Sequence, residues 1–208
     1  MRTVGRWGAA LAMATCAAFG FVEPAGAAAT RAVPIVCNHG PADQTYQAIP
    51  QAPATVVAGA AFTIRVDGVD SGEISQTGLR YLHDITYDFV IPQGAKLVPG
   101  SLQIVAGTGT PNVREGARVV ARANIVTVTL PGKVTSGERY TPPSFELRLE
   151  ATAAPGTALV WSFARLGLTA AAIIVGDVVT SCDPKTKPHP LTTTKVVEPP
   201  APVPTPEP

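Results

Sequence analysis

The sequence predicts an all-β fold, a single antiparallel β-sandwich, on three observations. Short runs of alternating apolar and polar residues recur along the chain. Pro and Gly cut those runs at turn-like spacing, and no segment carries the period of an amphipathic helix. Residues 85–105, ITYDFVIPQGAKLVPGSLQIV, show the pattern at its densest: a strand, a Pro-x-Gly turn, a short extended piece, a Pro-Gly turn and a second strand.

The elements follow in order. Residues 28–53 form a leading segment rich in Ala, Pro and Gly, with 33–36 as a first strand that Pro34 confines to an edge or a strand start. Residues 62–66 alternate, with Phe62, Ile64 and Val66 on one face and Thr63 and Arg65 on the other. Asp67-Gly68 and Ser71-Gly72 then open a long polar connection. Ile85, Tyr87, Phe89 and Ile91 share one face of the next strand, and residues 102–105 form another. Two β-branched runs, 119–123 and 125–130, flank Asn124 as a turn residue. Residues 144–150 alternate most strictly, with Phe145, Leu147 and Leu149 opposed to Glu146, Arg148 and Glu150, which describes one dry and one wet face. Leu159, Trp161 and Phe163 repeat that pattern, and residues 173–179 run as a last strand into Cys182. The apolar run 166–176 is too short to span a bilayer and reads as a buried strand. Eight or so strands over about 150 residues suit one domain, 28–183.

The ends have their own character. Arg2 and Arg6, the apolar run 9–21, Glu23-Pro24 and Ala25-Gly26-Ala27 have the order of a signal peptide, residues 1–27, cut before Ala28. The two arginines are not adjacent, so the twin-arginine route is not indicated. Cys16 has Thr15 before it and an apolar run after it, a poor context for lipid attachment. From Pro184 the composition turns to Lys, Thr and Pro, ending in EPPAPVPTPEP, so residues 184–208 read as a disordered polyproline-rich spacer that can also carry O-linked sugar. No sorting signal or closing apolar tail is present to hold that end.

Charge and cysteine content bound the partners. Of 16 basic and 15 acidic residues, two and one lie in the leader, which leaves 14 of each in a neutral mature chain. Such a chain lacks the positive patch that nucleic acid requires, and it has no attraction to an anionic membrane surface. Two cysteines remain after the leader, Cys37 and Cys182, and in an oxidising compartment they pair as one structural disulfide. Its loop of about 145 residues would contribute at most roughly 5 kcal/mol in the loop-entropy account.

The search for chemistry finds little. Cys37-Asn38-His39-Gly40 is half a metal motif without a second cluster, and an oxidised Cys37 cannot ligate, so no metal and no cofactor are expected. The three histidines are His39, His83 and His189. His83-Asp84 is the one local imidazole–acid pair, yet neighbours in a strand point to opposite faces, and surface residues before a strand are the simpler reading. Pro99-Gly100-Ser101-Leu102 lacks the second Gly and the helix of a nucleophile elbow. Asp67, Asp70, Glu73, Asp84 and Asp88 offer carboxylates whose glycosidase spacing of about 5 to 9 Å is not legible in one dimension. The same acids form no calcium loop. Gly107-Thr108-Gly109-Thr110 lacks the Lys and the helix of a phosphate cradle. No catalytic residue is therefore assigned.

A resemblance adds to this. The run ITYDFVIPQGAKLVPGS resembles the core of bacterial surface Ig-like domains. The fuller order is similar to a group of uncharacterised exported proteins of mycolate-containing actinobacteria. The matching pieces are the early Cys37, residues 54–59 (ATVVAG), 97–101 (LVPGS), 128–134 (VTLPGKV), 149–157 (LEATAAPGT) and 180–182 (TSC). The resemblance implies a disulfide-closed Ig-like β-sandwich and brings no catalytic residues with it. The function expected is that of a non-enzymatic secreted or cell-envelope protein that binds a protein, glycan or lipid through its loops or an exposed sheet. A second expectation is a carrier that holds a lipid or small apolar ligand between sheets that few bulky residues fill. A hydrolase built on His83 is a third.

Overall fold

A computed structural model describes residues 28–40, 44–105, 116–130 and 132–201. The leader with Cys16, the Gly107–Thr110 motif and residues 202–208 lie outside the described residues. Fourteen strands are present and no helix occurs among the described residues. They are β1 (Arg31–Cys37), β2 (Gln44–Gln51), β3 (Thr55–Val57), β4 (Ala61–Gly68), β5 (Leu79–Val90), β6 (Ala95–Leu97) and β7 (Gln103–Val105). There follow β8 (Arg118–Arg122), β9 (Ile125–Leu130), β10 (Val134–Thr135), β11 (Ser144–Ala151), β12 (Ala158–Ala172), β13 (Gly176–Pro184) and β14 (His189–Val197).

Hydrogen bonding is continuous along the order β6-β11-β4-β2-β1-β13-β12-β5-β9-β8, so the fold is one curled sheet. Every ladder is antiparallel except that of β3 with β14. The alternation of β4 and β11 places Phe62, Ile64, Val66, Phe145, Leu147 and Leu149 inside. That of β5 and β12 does the same for Ile85, Tyr87, Phe89, Leu159, Trp161 and Phe163. These strand pairs are not neighbours in the sheet, yet the Phe145 ring lies 5.0 Å from Phe89 and 6.5 Å from Trp161. The two halves of the curled sheet therefore face each other across an aromatic core. Trp161 stacks on Phe89 at 5.7 Å, and Tyr46 stacks on Phe163 at 4.4 Å. Six aromatic rings in contact supply the bulk that an Ala-rich sequence otherwise lacks.

The long strand β12 organises the curl. One flank pairs with β5 from Ser162 to Ala172. The other flank pairs with β14 over Ala158–Phe163 and with β13 over Leu166–Ala172. The sheet forks at that point, and the β13 branch carries the chain round through β1 and β2 to the opposite half.

Several sequence expectations are corrected. Residues 189–197, expected to lie in a disordered spacer from residue 184, form β14, with Leu191 and Val196 buried. His189 opens that strand opposite Phe163. The ladder to β12 and the shorter one to β3 give this Thr-rich stretch partners that its composition does not advertise. Strand β1 sits inside the sheet, between β2 and β13, with Pro34 at its fourth residue, where an edge or a strand start was expected. Pro34 faces the point where the β13 ladder ends, and its carbonyl accepts from Lys185 N–H, so its missing donor breaks no ladder bond. Residues 173–175 are a turn and not a strand, and β13 starts only at Gly176, which takes a φ of 75°. The leading segment holds a whole strand, β2, whose inward residues Tyr46, Ala48 and Pro50 are too small or too unusual to announce it.

Candidate functional site

A cleft of about 660 Å³ lies between the β2-β1-β13-β12-β5 stretch of the sheet and the connection that follows β4. One wall is β12 and β13, whose inward residues Leu166, Leu168, Ala170 and Thr180 alternate along the ladders. The small Ala170 and Ala172 leave space where a core strand would ordinarily place a larger side chain. The disulfide joins Cys37 to Cys182, which stand directly opposite each other in the β1–β13 ladder, and it lines the cleft. The pairing expected from compartment and number is thus present, and its role is structural: it ties the strands that carry the sheet round the curl.

The facing wall is the connection 69–78, between β4 and β5. This polar stretch is held in place by its own bonds. Ser71 N–H and Oγ both donate to the Tyr140 carbonyl, Ile74 N–H donates to Glu138 and Gly137 N–H donates to Ile74. Asp70 accepts from the Arg139 guanidinium at 2.9 Å and from Gly72 N–H at 2.8 Å. The Arg139 bond, then the Gly72 bond, hold the Asp70 carboxyl below its usual range. Asp70 is thereby a clamp for the loop.

Three tyrosines bring hydroxyls to this apolar space. Tyr87 and Tyr140 share a hydrogen bond of 2.6 Å, and the Tyr46 ring lies 5.3 Å from that of Tyr87. Burial pushes all three phenols above their ordinary 10.0, with the neighbouring Tyr140 adding to the effect on Tyr46 and Tyr87. They are neutral hydroxyls at physiological pH. The cleft therefore sets an aliphatic wall of β12 and β13 and three neutral phenols against the polar connection 69–78, a chemistry that suits an apolar body with a polar end.

The remaining sequence candidates are scattered. His39 is exposed in the bend after β1 and touches the cleft only at its rim. Asp67 accepts from Gln51 at 2.7 Å and from Arg65 at 2.8 Å. Asp88 accepts from the Thr127 hydroxyl at 2.7 Å, which binds β5 to β9. Glu73 meets Arg139 through an isolated backbone bridge. Ser101 Oγ donates to the Val98 carbonyl and accepts from Arg148 N–H, so it serves its turn. Among the described residues no group of three or more His, Cys, Asp or Glu is placed to hold a metal ion.

His83 differs from expectation. It lies within β5, not before it, and its Nδ1 is 2.8 Å from Asp84 Oδ2. Asp84 adopts a φ of 49°, and Asp84 and Ile85 together oppose the single residue Leu168 of β12. That bulge breaks the alternation which would otherwise send the two side chains to opposite faces. On its other side His83 Nε2 lies 3.7 Å from Asp177 Oδ1, too far for a hydrogen bond. The imidazole lies between two carboxylates, and among the described residues no nucleophilic side chain bonds to it.

Sequence reasoning missed the cleft itself. Its aromatic hydroxyls come from β2, β5 and the segment after β10, and nothing in one dimension brings Tyr46, Tyr87 and Tyr140 together. The alternation Tyr46-Ala48-Pro50 was the signal available for β2.

No family model matches the chain. No curated protein matches it either. Among solved structures, the chain is similar to a Corynebacterium diphtheriae protein described as membrane anchored, at 15% identity and a TM-score of 0.45. That match covers 82% of this chain and 38% of the other, so the chain spans well under half the length of its neighbour. It is also similar to the sixth cohesin of scaffoldin B from Acetivibrio cellulolyticus, solved in complex with a dockerin. There the identity is 13% and the TM-score 0.31, over 70% of this chain and 93% of the cohesin. Both are distant likenesses of shape, and nothing about function is drawn from them.

Proposed function

We propose that the chain is a non-enzymatic binding protein of the secreted or cell-envelope compartment whose end cleft takes a lipid or another small ligand with an apolar body. The observation that carries this reading is the cleft: its volume of about 660 Å³ falls in the range of roughly 300–1,000 Å³ common to small-molecule sites. Its Leu, Ala and Tyr lining supplies apolar contact and neutral hydrogen-bonding groups, and the Asp70 carboxylate of the loop is engaged by Arg139. Export is supported by the leader pattern of residues 1–27 and fits the disulfide. The Pro-rich residues beyond β14 act as the spacer in this reading.

Two measurements test it. Organic extraction of the protein purified without detergent, followed by mass spectrometry, is expected to release a bound lipid. The delipidated protein is expected to bind a fluorescent fatty-acid analogue saturably. Ala170→Trp, which fills the cleft from β12, should weaken that binding by at least about tenfold while the thermal unfolding remains cooperative. An empty extract together with no saturable probe binding would overturn the reading.

A further inference from the structure

The turn between β12 and β13 carries Ile173, Ile174 and Val175 into solvent, at 67%, 92% and 71% exposure. Three consecutive aliphatic side chains at the end of a hairpin are unusual, because isolated exposed apolar residues are normal and grouped ones mark contact sites. We propose that this hairpin tip inserts into the apolar phase of a zwitterionic lipid surface and sets the mouth of the cleft against the acyl chains.

Three observations support a lipid surface as the occupant. First, the tip is convex and purely aliphatic. Protein-binding hot spots favour Trp, Tyr and Arg in complementary pockets, whereas a fluid hydrocarbon accepts branched aliphatics of any outline. Second, the residues just behind the tip suit a headgroup layer. Ile173 N–H bonds to the Gly78 carbonyl, and Ala171 pairs with Tyr81 of β5. Two strand residues of about 3.4 Å each therefore place Tyr81 roughly 7 Å behind Ile173, within the about 5–10 Å to which interfacial segments sink. Lys133 Nζ lies 4.3 Å from the Tyr81 ring centre, and Arg80 is exposed beside it, so an aromatic ring and two cations stand at phosphate level. Asp177 pairs with the same Ala171 that faces Tyr81, and Asp84 lies three residues along β5, so carboxylates accompany the cations at this level, which matches a zwitterionic surface and not an anionic one. Third, Ile174 and Val175 also line the mouth of the cleft, so insertion would join the cleft to the hydrocarbon without a water gap. The membrane contact stands on the geometry of the tip; only its use as a ligand route rests on the proposed function.

The test uses residues 28–208 and vesicles of phosphatidylcholine. Ile174→Cys, labelled with an environment-sensitive dye, is expected to shift its emission to the blue on adding vesicles and to be quenched by lipids spin-labelled near the headgroup. Co-sedimentation should fall by about tenfold or more for the double change Ile173→Ser with Ile174→Asp. Val179→Asp, at a position equally exposed but away from the tip, should stay within roughly twofold of the parent. Absence of both the spectral shift and sedimentation would overturn the proposal. So would binding confined to phosphatidylglycerol vesicles, or a solution dimer dissolved by Ile174→Asp in a protein that ignores vesicles. Ala170→Trp keeps the tip intact, so vesicle binding without ligand binding by that variant separates the two readings.

Discussion

The hydroxyls of Tyr87 and Tyr140 lie 2.6 Å apart, in a bond that joins β5 to the segment after β10 in the wall of the cleft. Both side chains are buried, so the bond removes two polar groups from the list of unsatisfied ones. Tyr140→Phe leaves the Tyr87 hydroxyl buried without that partner and is expected to cost about 1–2 kcal/mol. The double change to Phe should cost less than the sum of the single ones, because neither hydroxyl is then orphaned. Urea unfolding of the four proteins measures this, and simple additivity would show that the bond contributes no coupling.

The buried phenols also set an alkaline limit. The folded values of Tyr46, Tyr87 and Tyr140 lie above the ordinary 10.0 because burial disfavours the phenolate. A raised folded value means stability that is complete below the unfolded value and lost as pH rises beyond it. The protein is therefore expected to unfold above about pH 10, with these three rings ionising in the same step as the loss of near-ultraviolet circular dichroism. Absorbance at the phenolate band, followed with the dichroism, checks it. Reversible ionisation of every tyrosine with the tertiary signal intact would contradict the burial assigned to these rings.

Reduction of the Cys37–Cys182 bond should destabilise strongly. The bond closes a separation of 145 residues, and the loop-entropy account gives about 5 kcal/mol as an upper figure. Replacing both cysteines by Ser is expected to lower the midpoint of thermal unfolding by many degrees, with the oxidised parent as reference. A fall of less than about 1 kcal/mol would mean that the β1–β13 ladder holds the curl unaided.

Strand β14 is part of the domain. A chain ended after Lys187 loses the partner of Ala158–Phe163 in β12 and uncovers Trp161, which is fully buried. It is expected not to unfold cooperatively, and its Trp161 emission should be red-shifted. A chain ended after Glu198 should behave as the parent does, since β14 is complete. Equal stability of the two truncations would restore the boundary expected near residue 184.

Asp84 presents a local test. At its φ of 49° a Cβ is strained, and Asp tolerates this region better than Ala does. Asp84→Ala should therefore cost about 1 kcal/mol more than Asp84→Gly, although both lose the bond to His83. If the two variants are equally stable, the bulge is not held by this residue's backbone.

The strand grammar was legible because alternation is local. Phe62–Ile64–Val66, Ile85–Tyr87–Phe89 and Phe145–Leu147–Leu149 each declare a buried face within a few residues, and each is buried as expected. The Cys37–Cys182 pair was legible for another reason, since two thiols in an oxidising compartment have one partner each. The candidate site was much less legible. His83 and Asp84 were visible as a pair, but their mutual bond depends on a bulge against Leu168 that only the register reveals.

By itself, then, the sequence determined the class of the fold, the faces of its strands and the covalent tie between Cys37 and Cys182, all of which follow from short-range pattern or simple pairing. The tertiary structure decided the rest. It recruited the Thr-rich 189–197 into the sheet, because an open flank of β12 could satisfy backbone groups that composition leaves unpaired. It turned residues 173–175 outward, because a hairpin end has no neighbour to cover it. It opened a cleft beside Ala170, because small side chains on one strand face a loop that is pinned elsewhere, at Arg139 and Tyr140.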